Sequence, residues 1–375
     1  MKRLSALFIF IISLPLFAAN NNHYSIFIDA GSSGSRIHVF QYQNVSTLPH
    51  ITDVFSESTK PGLSSYADQP DQAGASLKKL LDDATVFLKN QQTSLEEIPV
   101  NVLATAGMRL VSTEKQEAIF TNITHYLKTN YSFKIGDIKV IDGKMEGVYG
   151  WLDINYLLGN FEHGKSTVGS IDMGGASTEI AFATSDKSKK TNEIDIEINH
   201  QHYTVFSKTF LGLGQDQARI TMLNDADAST CYPQNYAYKQ QSVGHYYLAA
   251  CKTIYGNIIQ KNRVLEQLPN MQNEAFIAYS GIYYLYDFLQ LDQHAGAVQL
   301  TTHIEQTCQL PWEKLQKQYP NVPDKYLSTY CANGAYINEL LFGAYQLSSS
   351  QLTVTDKLNQ KEIDWTLGAA LYQVI

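Results

Sequence analysis

One sequence pattern occurs twice in this chain and constrains its fold more than any other feature. Residues 26–40, IFIDAGSSGSRIHVF, place an Asp-x-Gly turn of small residues between two apolar, β-prone runs. Residues 168–182, VGSIDMGGASTEIAF, repeat this arrangement about one domain's length further along the chain. Each copy predicts a strand, a tight turn and a second strand. The repetition indicates two duplicated halves whose hairpins face each other across a cleft.

The small residues in both turns favour a phosphate-binding site. Glycine lets the backbone approach an anion, and successive N–H groups form a concave nest around phosphate oxygens. A single hairpin of this kind is more often an ordinary turn, but two copies favour the functional interpretation. The predicted phosphate contacts are Ser32, Ser33, Gly34, Ser35, Arg36, Gly174, Gly175, Ala176 and Ser177.

Carboxylates accompany the turns. Asp29 and Asp172 each end a first strand, where they can face a cation on the phosphate, directly or through water. Glu146 follows Asp142 in the first turn of a predicted helix, a position that the helix dipole favours for any glutamate. The functional alternative is a general base that deprotonates an attacking water.

A third junction of small residues lies between the two hairpins. The apolar run at residues 100–104 opens into Thr105, Ala106, Gly107, Met108 and Arg109. We predict that this junction adds N–H donors and a fixed cation to the phosphate site. Residues 138–141 then predict a short buried strand, and residues 211–215 predict a Gly-rich loop near the ligand.

Charge and targeting signals restrict the partners and the compartment. With 375 residues and a net charge of −8, the chain suits two domains and disfavours nucleic acid or an anionic membrane as a partner. Residues 1–19 have the pattern of a secretory signal peptide, and their apolar run is shorter than a bilayer span. We expect an exported monomer, secreted or periplasmic, without a stable membrane span; the alternative is retention of the leader as an anchor, because Phe17 stands where the cleavage site prefers a small residue.

The four cysteines fit an oxidising compartment. They all lie in the second half of the chain, and no Cys-x-x-Cys pair points to zinc or redox chemistry. Two disulfides are expected, with reduced buried cysteines as the alternative. Of the three possible pairings, the sequential one closes the shortest loops; the residues are Cys231, Cys251, Cys308 and Cys331.

In this order, the motifs resemble those of the nucleoside triphosphate diphosphohydrolases, or apyrases. The matching stretches span nearly the whole chain after the leader: residues 29–36, 104–109, 146–151, 171–180, 279–284 with 330–334, and 364–371. The resemblance implies an α/β fold of two ribonuclease-H-like domains, the actin, hexokinase and heat-shock-chaperone superfold, with an interdomain nucleotide cleft. We place domain I at residues 20–158 plus 362–375, because the C-terminal helix is expected to return to it, and domain II at 159–361.

The resemblance also implies roles for individual residues. Glu146 matches the catalytic base, and Asp29 and Asp172 match residues that hold Mg²⁺ or Ca²⁺ through water. Ser177 and Glu179 are expected to orient the attacking water, although many relatives carry glutamine in place of Glu179. The expected nucleobase contacts are Tyr284, Asn333 and Tyr336.

The expected function is metal-assisted release of the terminal phosphate from nucleoside tri- and diphosphates. The first turn looks like the soluble diphosphatase branch and the Glu146 segment like the apyrase branch, so the preferred substrate stays open. One alternative is an exopolyphosphatase of the same superfold, which long-chain polyphosphate would distinguish from a nucleotidase. The other is a nucleotide-gated binding module, which multiple turnovers on ATP would exclude.

Overall fold

The computed structural model describes residues 23–43, 48–162, 165–240 and 242–375. The predicted signal peptide at residues 1–19 lies outside the described residues. Within the described ranges the chain forms two α/β halves, and each half is built around one of the two predicted hairpins.

The first sheet consists of β1 (His23–Ala30), β2 (Ser35–Gln43), β3 (His50–Thr59), β4 (Pro99–Ala104) and β5 (Lys134–Val140), in the order β3-β2-β1-β4-β5. β1 to β3 are antiparallel, whereas β4 and β5 run parallel to β1. A strand is present at the predicted residues 138–141, but β5 begins earlier and ends at Val140, and as an edge strand it contains no buried residue.

The helices of the first half cover this sheet or lead out of it. They are α1 (Ala73–Ser76), α2 (Lys78–Asn90), α3 (Ala106–Arg109), α4 (Thr113–Asn130) and α5 (Gly143–Leu157). Apolar residues at helical spacing on α2 are buried against the sheet, as their pattern predicts. Asp142 caps α5, since its Oδ1 accepts a hydrogen bond of 2.7 Å from the Lys144 N–H.

The second half contains β6 (Gly169–Met173), β7 (Ser177–Ala183), β8 (Glu193–Ile198), β9 (Gln201–Leu211), β10 (Ala237–Lys239), β11 (Ser242–Val243), β12 (Phe276–Ser280) and β13 (Leu352–Val354). Its main sheet has the order β13-β12-β6-β7-β9-β8, and β10 pairs with β11 separately. The series β9-β7-β6-β12-β13 repeats the order and the relative directions of β3-β2-β1-β4-β5. The duplication inferred from the two turns therefore extends to both sheets.

The remaining elements complete the second half and the C-terminus. The helices are α6 (Gln215–Met222), α7 (Leu248–Lys261), α8 (Gly281–Phe288), α9 (Ala297–Cys308), α10 (Trp312–Gln318), α11 (Asp324–Leu327), α12 (Tyr330–Asn338), continued by a π-helical segment (Glu339–Ala344), and α13 (Trp365–Tyr372). A small hairpin of β14 (Lys357–Leu358) and β15 (Lys361–Glu362) precedes α13.

Helices α5 and α13 cross between the two sheets. α13 packs against β1, β2 and β3, so the C-terminal helix returns to the first half as predicted, whereas α5 packs against β6, β7 and β9. A Cβ on Gly368 of α13 would lie 1.8 Å from the Tyr149 carbonyl oxygen of α5, so only glycine permits this approach. The predicted boundary at residue 158 assigns α5 to domain I, but the packing of this helix is with the second sheet.

Two disulfides join elements of the second half. Cys231 pairs with Cys251 of α7, and Cys308 at the end of α9 pairs with Cys331 of α12. The expectation of two disulfides is confirmed, and the pairing is the sequential one. Within the described residues, no helix combines the length and the apolar character that a membrane span requires.

Candidate active site

A cleft of about 350 Å³ lies between the two hairpin turns. Both halves of the chain contribute to its walls, as the duplicated motif predicts. The predicted site residues that line it are Asp29, Ser32, Ser33, Gly34, Ser35, Arg36, Thr105, Ala106, Glu146, Asp172, Gly174, Gly175, Ala176, Ser177 and Tyr284.

The first turn connects β1 to β2 and packs closely against the end of β3. Asp29 and Arg36 are cross-strand partners, so a carboxylate and a guanidinium flank the turn. A Cβ at Gly34 would lie 2.7 Å from the Thr59 carbonyl oxygen at the end of β3, which explains the glycine. The Arg36 side chain remains 40% exposed and reaches the cleft.

The second turn is fixed by the start of helix α6. The backbone N–H groups of Gln215 and Asp216 donate to the carbonyls of Gly174 and Gly175, respectively, each at 3.0 Å. The turn's carbonyls therefore point towards α6. One predicted donor is already engaged, because the Gly174 N–H closes the hairpin by donating to the Ser177 carbonyl.

The two turns approach each other closely across the cleft. A Cβ at Gly175 would lie 2.7 Å from Ser32 Oγ and 3.0 Å from Asp216 Oδ2. A side chain at position 175 would therefore force the Ser32 and Asp216 side chains to shift. A ligand between them would be enclosed from both sides.

Arg109 does not line the cleft and is instead bound to two glutamates behind it. Its Nη2 contacts the Glu146 carboxylate, its Nη1 lies 3.7 Å from Glu179 Oε1, and its Nε donates to the Ile141 carbonyl at 3.1 Å. Arg109 is therefore engaged by protein carboxylates in this structure, and its contact with a phosphate stays a prediction. Gly107 is also off the cleft, since its backbone packs against Ser32. The junction of small residues itself forms the single helical turn α3.

Glu179 is held just behind the cleft surface. Its Oε1 accepts hydrogen bonds from Ser177 Oγ at 2.5 Å and from Thr209 Oγ1 at 2.6 Å, and its side chain is only 2% exposed. Ser177 itself lines the cleft. Glu179 is therefore connected to the cleft through its hydrogen bond with Ser177.

Burial raises the pKa of both Glu146 and Glu179. It raises the pKa of Glu146, against the opposing effect of Arg109. Burial, Glu146 and Asp172 together raise the pKa of Glu179 well above its usual value. Arg109 is therefore the group that favours the charged form of Glu146 against the effect of burial.

Asp29 and Asp172 are two half-buried carboxylates that line the cleft, and each has one buried oxygen. Within the described part of the chain, neither Asp29 Oδ1 nor Asp172 Oδ1 has a hydrogen-bond partner. Burial raises the pKa of Asp172 to about 7 and that of Asp29 well above its usual value. Such unpaired buried oxygens are the donor atoms that a hard divalent cation and its waters would satisfy.

Only one of the three predicted nucleobase residues reaches the cleft. Tyr284 lines it with its ring 55% exposed. The prediction for Tyr336 is wrong, because its ring is fully buried in the core of the second half and its hydroxyl donates to the Leu213 carbonyl. Asn333 also lies behind the surface, where its Nδ2 donates to Gln215 Oε1 at 2.9 Å.

Several cleft residues were missed by sequence reasoning. They include Lys60 after β3, Ser280 before α8, and Asp364 and Trp365 at the start of α13, whereas Gln215 belongs to the segment 211–215 that was predicted to lie near the ligand. Asp364 and Trp365 lie in the stretch 364–371, which matches the family's motifs but was given no role in the sequence analysis. The others are ordinary polar residues at the ends of elements, and only the fold brings them to one place.

The chain is similar along nearly its whole length to known nucleotide-hydrolysing proteins. The GDA1/CD39 (nucleoside phosphatase) family matches residues 16–257 and 260–375. Probable apyrase 5 of Arabidopsis thaliana is 30% identical, over 98% of this chain and 86% of its own length. Ectonucleoside triphosphate diphosphohydrolase 1 of Mus musculus is 29% identical, over 94% of this chain and 81% of its own length.

Solved structures show the same fold. A nucleoside triphosphate hydrolase structure from Neospora caninum has a TM-score of 0.71 at 16% identity, over 94% of this chain and 92% of that chain. The Ppx/GppA family member from Aquifex aeolicus has a TM-score of 0.58 at 13% identity, over 94% and 98% of the two chains. These similarities confirm the predicted two-domain superfold. With its motifs, its fold and its family match in agreement, the chain belongs to the GDA1/CD39 family of nucleoside phosphatases.

Proposed function

We propose that this protein is an exported hydrolase that releases the terminal phosphate from nucleoside tri- and diphosphates. The observation that carries the proposal is the position of Glu146, whose buried carboxylate lines the cleft between the two hairpin turns and is held by Arg109. A carboxylate fixed beside a phosphate site is placed to accept a proton from an attacking water.

Phosphate binding is assigned to the turns and to Arg36. Ser32 to Ser35 of the first turn and Gly175 to Ser177 of the second line the cleft, where their backbone N–H groups would bind phosphate oxygens. Arg36 supplies a partly exposed guanidinium that can pair with a phosphate oxygen. With a net charge of −8, the chain needs such local donors to hold an anion.

The cofactor proposed is Mg²⁺ or Ca²⁺, held by Asp29 and Asp172 through water. Among the described residues, no group of three or more His, Cys, Asp or Glu side chains is arranged to hold a metal directly. Two carboxylates that each have one oxygen without a hydrogen-bond partner among the described residues fit an ion that keeps several waters and shares phosphate oxygens with the substrate. When bound, the ion would offset negative charge on the phosphate.

The proposed reaction follows from the positions of the chain's own groups. Water attacks the terminal phosphorus in line with the bridging oxygen, Glu146 accepts a proton from that water, and the bond to the bridging oxygen breaks. Ser177, with Glu179 behind it, orients the water. Most of the rate enhancement would come from positioning and from stabilising charge, as in phosphoryl transfer generally.

Tyr284 is the proposed contact for the nucleobase. Its ring is exposed at the cleft, next to Tyr283, and an aromatic face suits stacking on a planar base. Export is proposed from the signal-like residues 1–19 and from the two disulfides, which suit an oxidising compartment.

Phosphate release from a panel of substrates tests the proposal. Purified protein is incubated with ATP, ADP, AMP and long-chain polyphosphate, with Mg²⁺, Ca²⁺ or EDTA. We expect release from ATP and ADP, little from AMP, and loss of release in EDTA. Release from polyphosphate alone would favour an exopolyphosphatase, and tight ATP binding without turnover would favour a binding module. Either result would overturn the proposed function.

Hydrolysis in ¹⁸O-labelled water adds a test of the bond that is broken. Attack on the terminal phosphorus places the label in the released phosphate. Label in the remaining nucleotide would instead contradict the proposed direction of attack.

A further inference from the structure

A buried histidine lies behind the phosphate site and has no role in the proposed chemistry. The side chain of His38, on β2, is 3% exposed and stacks parallel to Phe40. Its Nδ1 lies 2.7 Å from Asp53 Oδ2 on β3, and its Nε2 lies 3.3 Å from Asp364 Oδ2. His38 thus joins a partly exposed carboxylate to one that lines the cleft.

Asp364 is a fixed junction between several elements. Its Oδ1 accepts a 2.9 Å hydrogen bond from the Thr366 N–H and so caps α13, and its own N–H donates to Asp153 Oδ2 on α5 at 2.9 Å. Its Oδ2 lies 3.3 Å from Arg36 Nη1 and 3.3 Å from His38 Nε2. One carboxylate oxygen is therefore shared by two basic side chains.

The environment keeps this group of side chains charged. Burial opposes a charge on His38, yet Asp364 and Asp53 outweigh it and raise its pKa to about 10. Burial likewise opposes a charge on Asp364, but His38 and Arg36 hold its pKa far below the usual range. The other charged groups that influence His38 from adjacent elements are Asp29 on β1 and Asp153 on α5.

We propose that His38 is a positioning residue for nucleotide binding, because it neutralises Asp364 from the protein side and leaves Arg36 available to a phosphate. This inference rests on the proposed function. Without His38, Arg36 would be the principal counterion of Asp364, and the carboxylate would compete with phosphate for the same guanidinium. The negative charge of an unneutralised Asp364 carboxylate at the cleft would also repel the phosphate groups of the nucleotide.

The primary test is His38→Gln, which removes the charge but keeps a polar side chain. KM and kcat are measured with Mg²⁺-ATP, and Kd is measured separately with a non-hydrolysed ATP analogue. We expect KM and Kd to rise about tenfold to a hundredfold, the range of one charge-assisted contact, with kcat within about threefold of wild type. His303→Gln is the matched control, because this partly buried histidine does not line the cleft and its Nδ1 lies 3.0 Å from the Leu289 carbonyl oxygen.

A double variant separates charge compensation from a merely structural role. In His38→Gln/Asp364→Asn the carboxylate that needed neutralising is gone, and asparagine still caps α13. We expect the double variant to recover most of the lost affinity. A double variant no better than His38→Gln, or a His38→Gln protein with unchanged KM and Kd, would overturn the inference.

A second variant covers the case in which His38→Gln fails to fold. Asp53→Asn keeps the imidazole but removes its outer partner, which lowers the pKa of His38. The pH at which KM begins to rise should then be lower than in wild type, and an unchanged pH profile would overturn the inference. A wild type that neither binds nor hydrolyses nucleotides would instead refute the proposed function, so the two failures are distinguishable.

Discussion

Replacing Arg109 by glutamine should move the pH dependence of turnover. Arg109 contacts the Glu146 carboxylate through Nη2 and lies 3.7 Å from Glu179 Oε1, with its side chain only 13% exposed. Burial already raises the pKa of Glu146, and Arg109 is the group that opposes this shift. Without the guanidinium, Glu146 holds its proton to higher pH and cannot accept one from water.

The size of the effect follows from Coulomb's law. A unit charge at about 4 Å, with an effective dielectric constant of ~20, contributes ~4 kcal/mol, or about three pKa units. Repacking of the amide would reduce this value, which is therefore an upper bound on the displacement of the acid limb. Since the acid limb falls tenfold per pH unit, kcat at neutral pH should drop by about ten- to a thousandfold.

The assay is kcat for ATP hydrolysis as a function of pH. Arg263→Gln is the matched control, because Arg263 pairs with Glu266 on the exposed surface and should leave the profile unchanged. We expect the acid limb of Arg109→Gln to move to higher pH, with activity partly recovered in alkaline buffer. A uniform loss of activity with the acid limb in place would refute the assignment of Arg109 as the residue that keeps Glu146 ionised.

Three further predictions concern the cleft, the disulfides and the metal site. Gly175→Val places a side chain where a Cβ already lies 2.7 Å from Ser32 Oγ, so nucleotide Kd should rise at least about tenfold with the melting temperature nearly unchanged; unaltered Kd would contradict the closeness of the turns. Replacing Cys231 and Cys251 by alanine opens a loop with a sequence separation of 20 and should lower the free energy of unfolding by ~3 kcal/mol, measured in urea; equal stability would contradict a structural role. Burial raises the pKa of Asp172 to about 7, so the folded metal-free protein binds more protons than the unfolded chain between the usual value and about 7. Its stability should therefore fall as pH rises through that range, and Mg²⁺ should reduce the fall; a melting temperature in EDTA that rises from about pH 5 to about pH 8 would contradict this.

The local parts of the fold were accessible from the sequence. Both hairpin turns have composition that specifies them within about fifteen residues, and the repeat itself predicted the facing halves. The capping aspartate Asp142 and the apolar spacing of α2 are likewise local signals. For the same reason, the residues of the turns were placed in the cleft correctly as a group.

Features that depend on tertiary packing were not accessible. Arg109 and Glu146 are far apart in sequence, and only the folded structure shows that the guanidinium pairs with the glutamate. Tyr336 lies in a helix that is buried on all sides, so no periodicity distinguishes a core tyrosine from a binding one. The edge position of β5 depends on the order of strands in the sheet, which its own residues do not encode.

The Glu146→Gln variant tests the central claim most directly, when turnover and nucleotide binding are measured on the same preparation. Glutamine keeps the shape of the side chain but cannot accept a proton from water. We predict that kcat for ATP falls by ~10²–10⁴ while Kd for a non-hydrolysed ATP analogue stays within about threefold of wild type, and that Glu117→Gln, an exposed change on α4, alters neither. Near-normal turnover by Glu146→Gln would contradict the claim that this carboxylate activates the water.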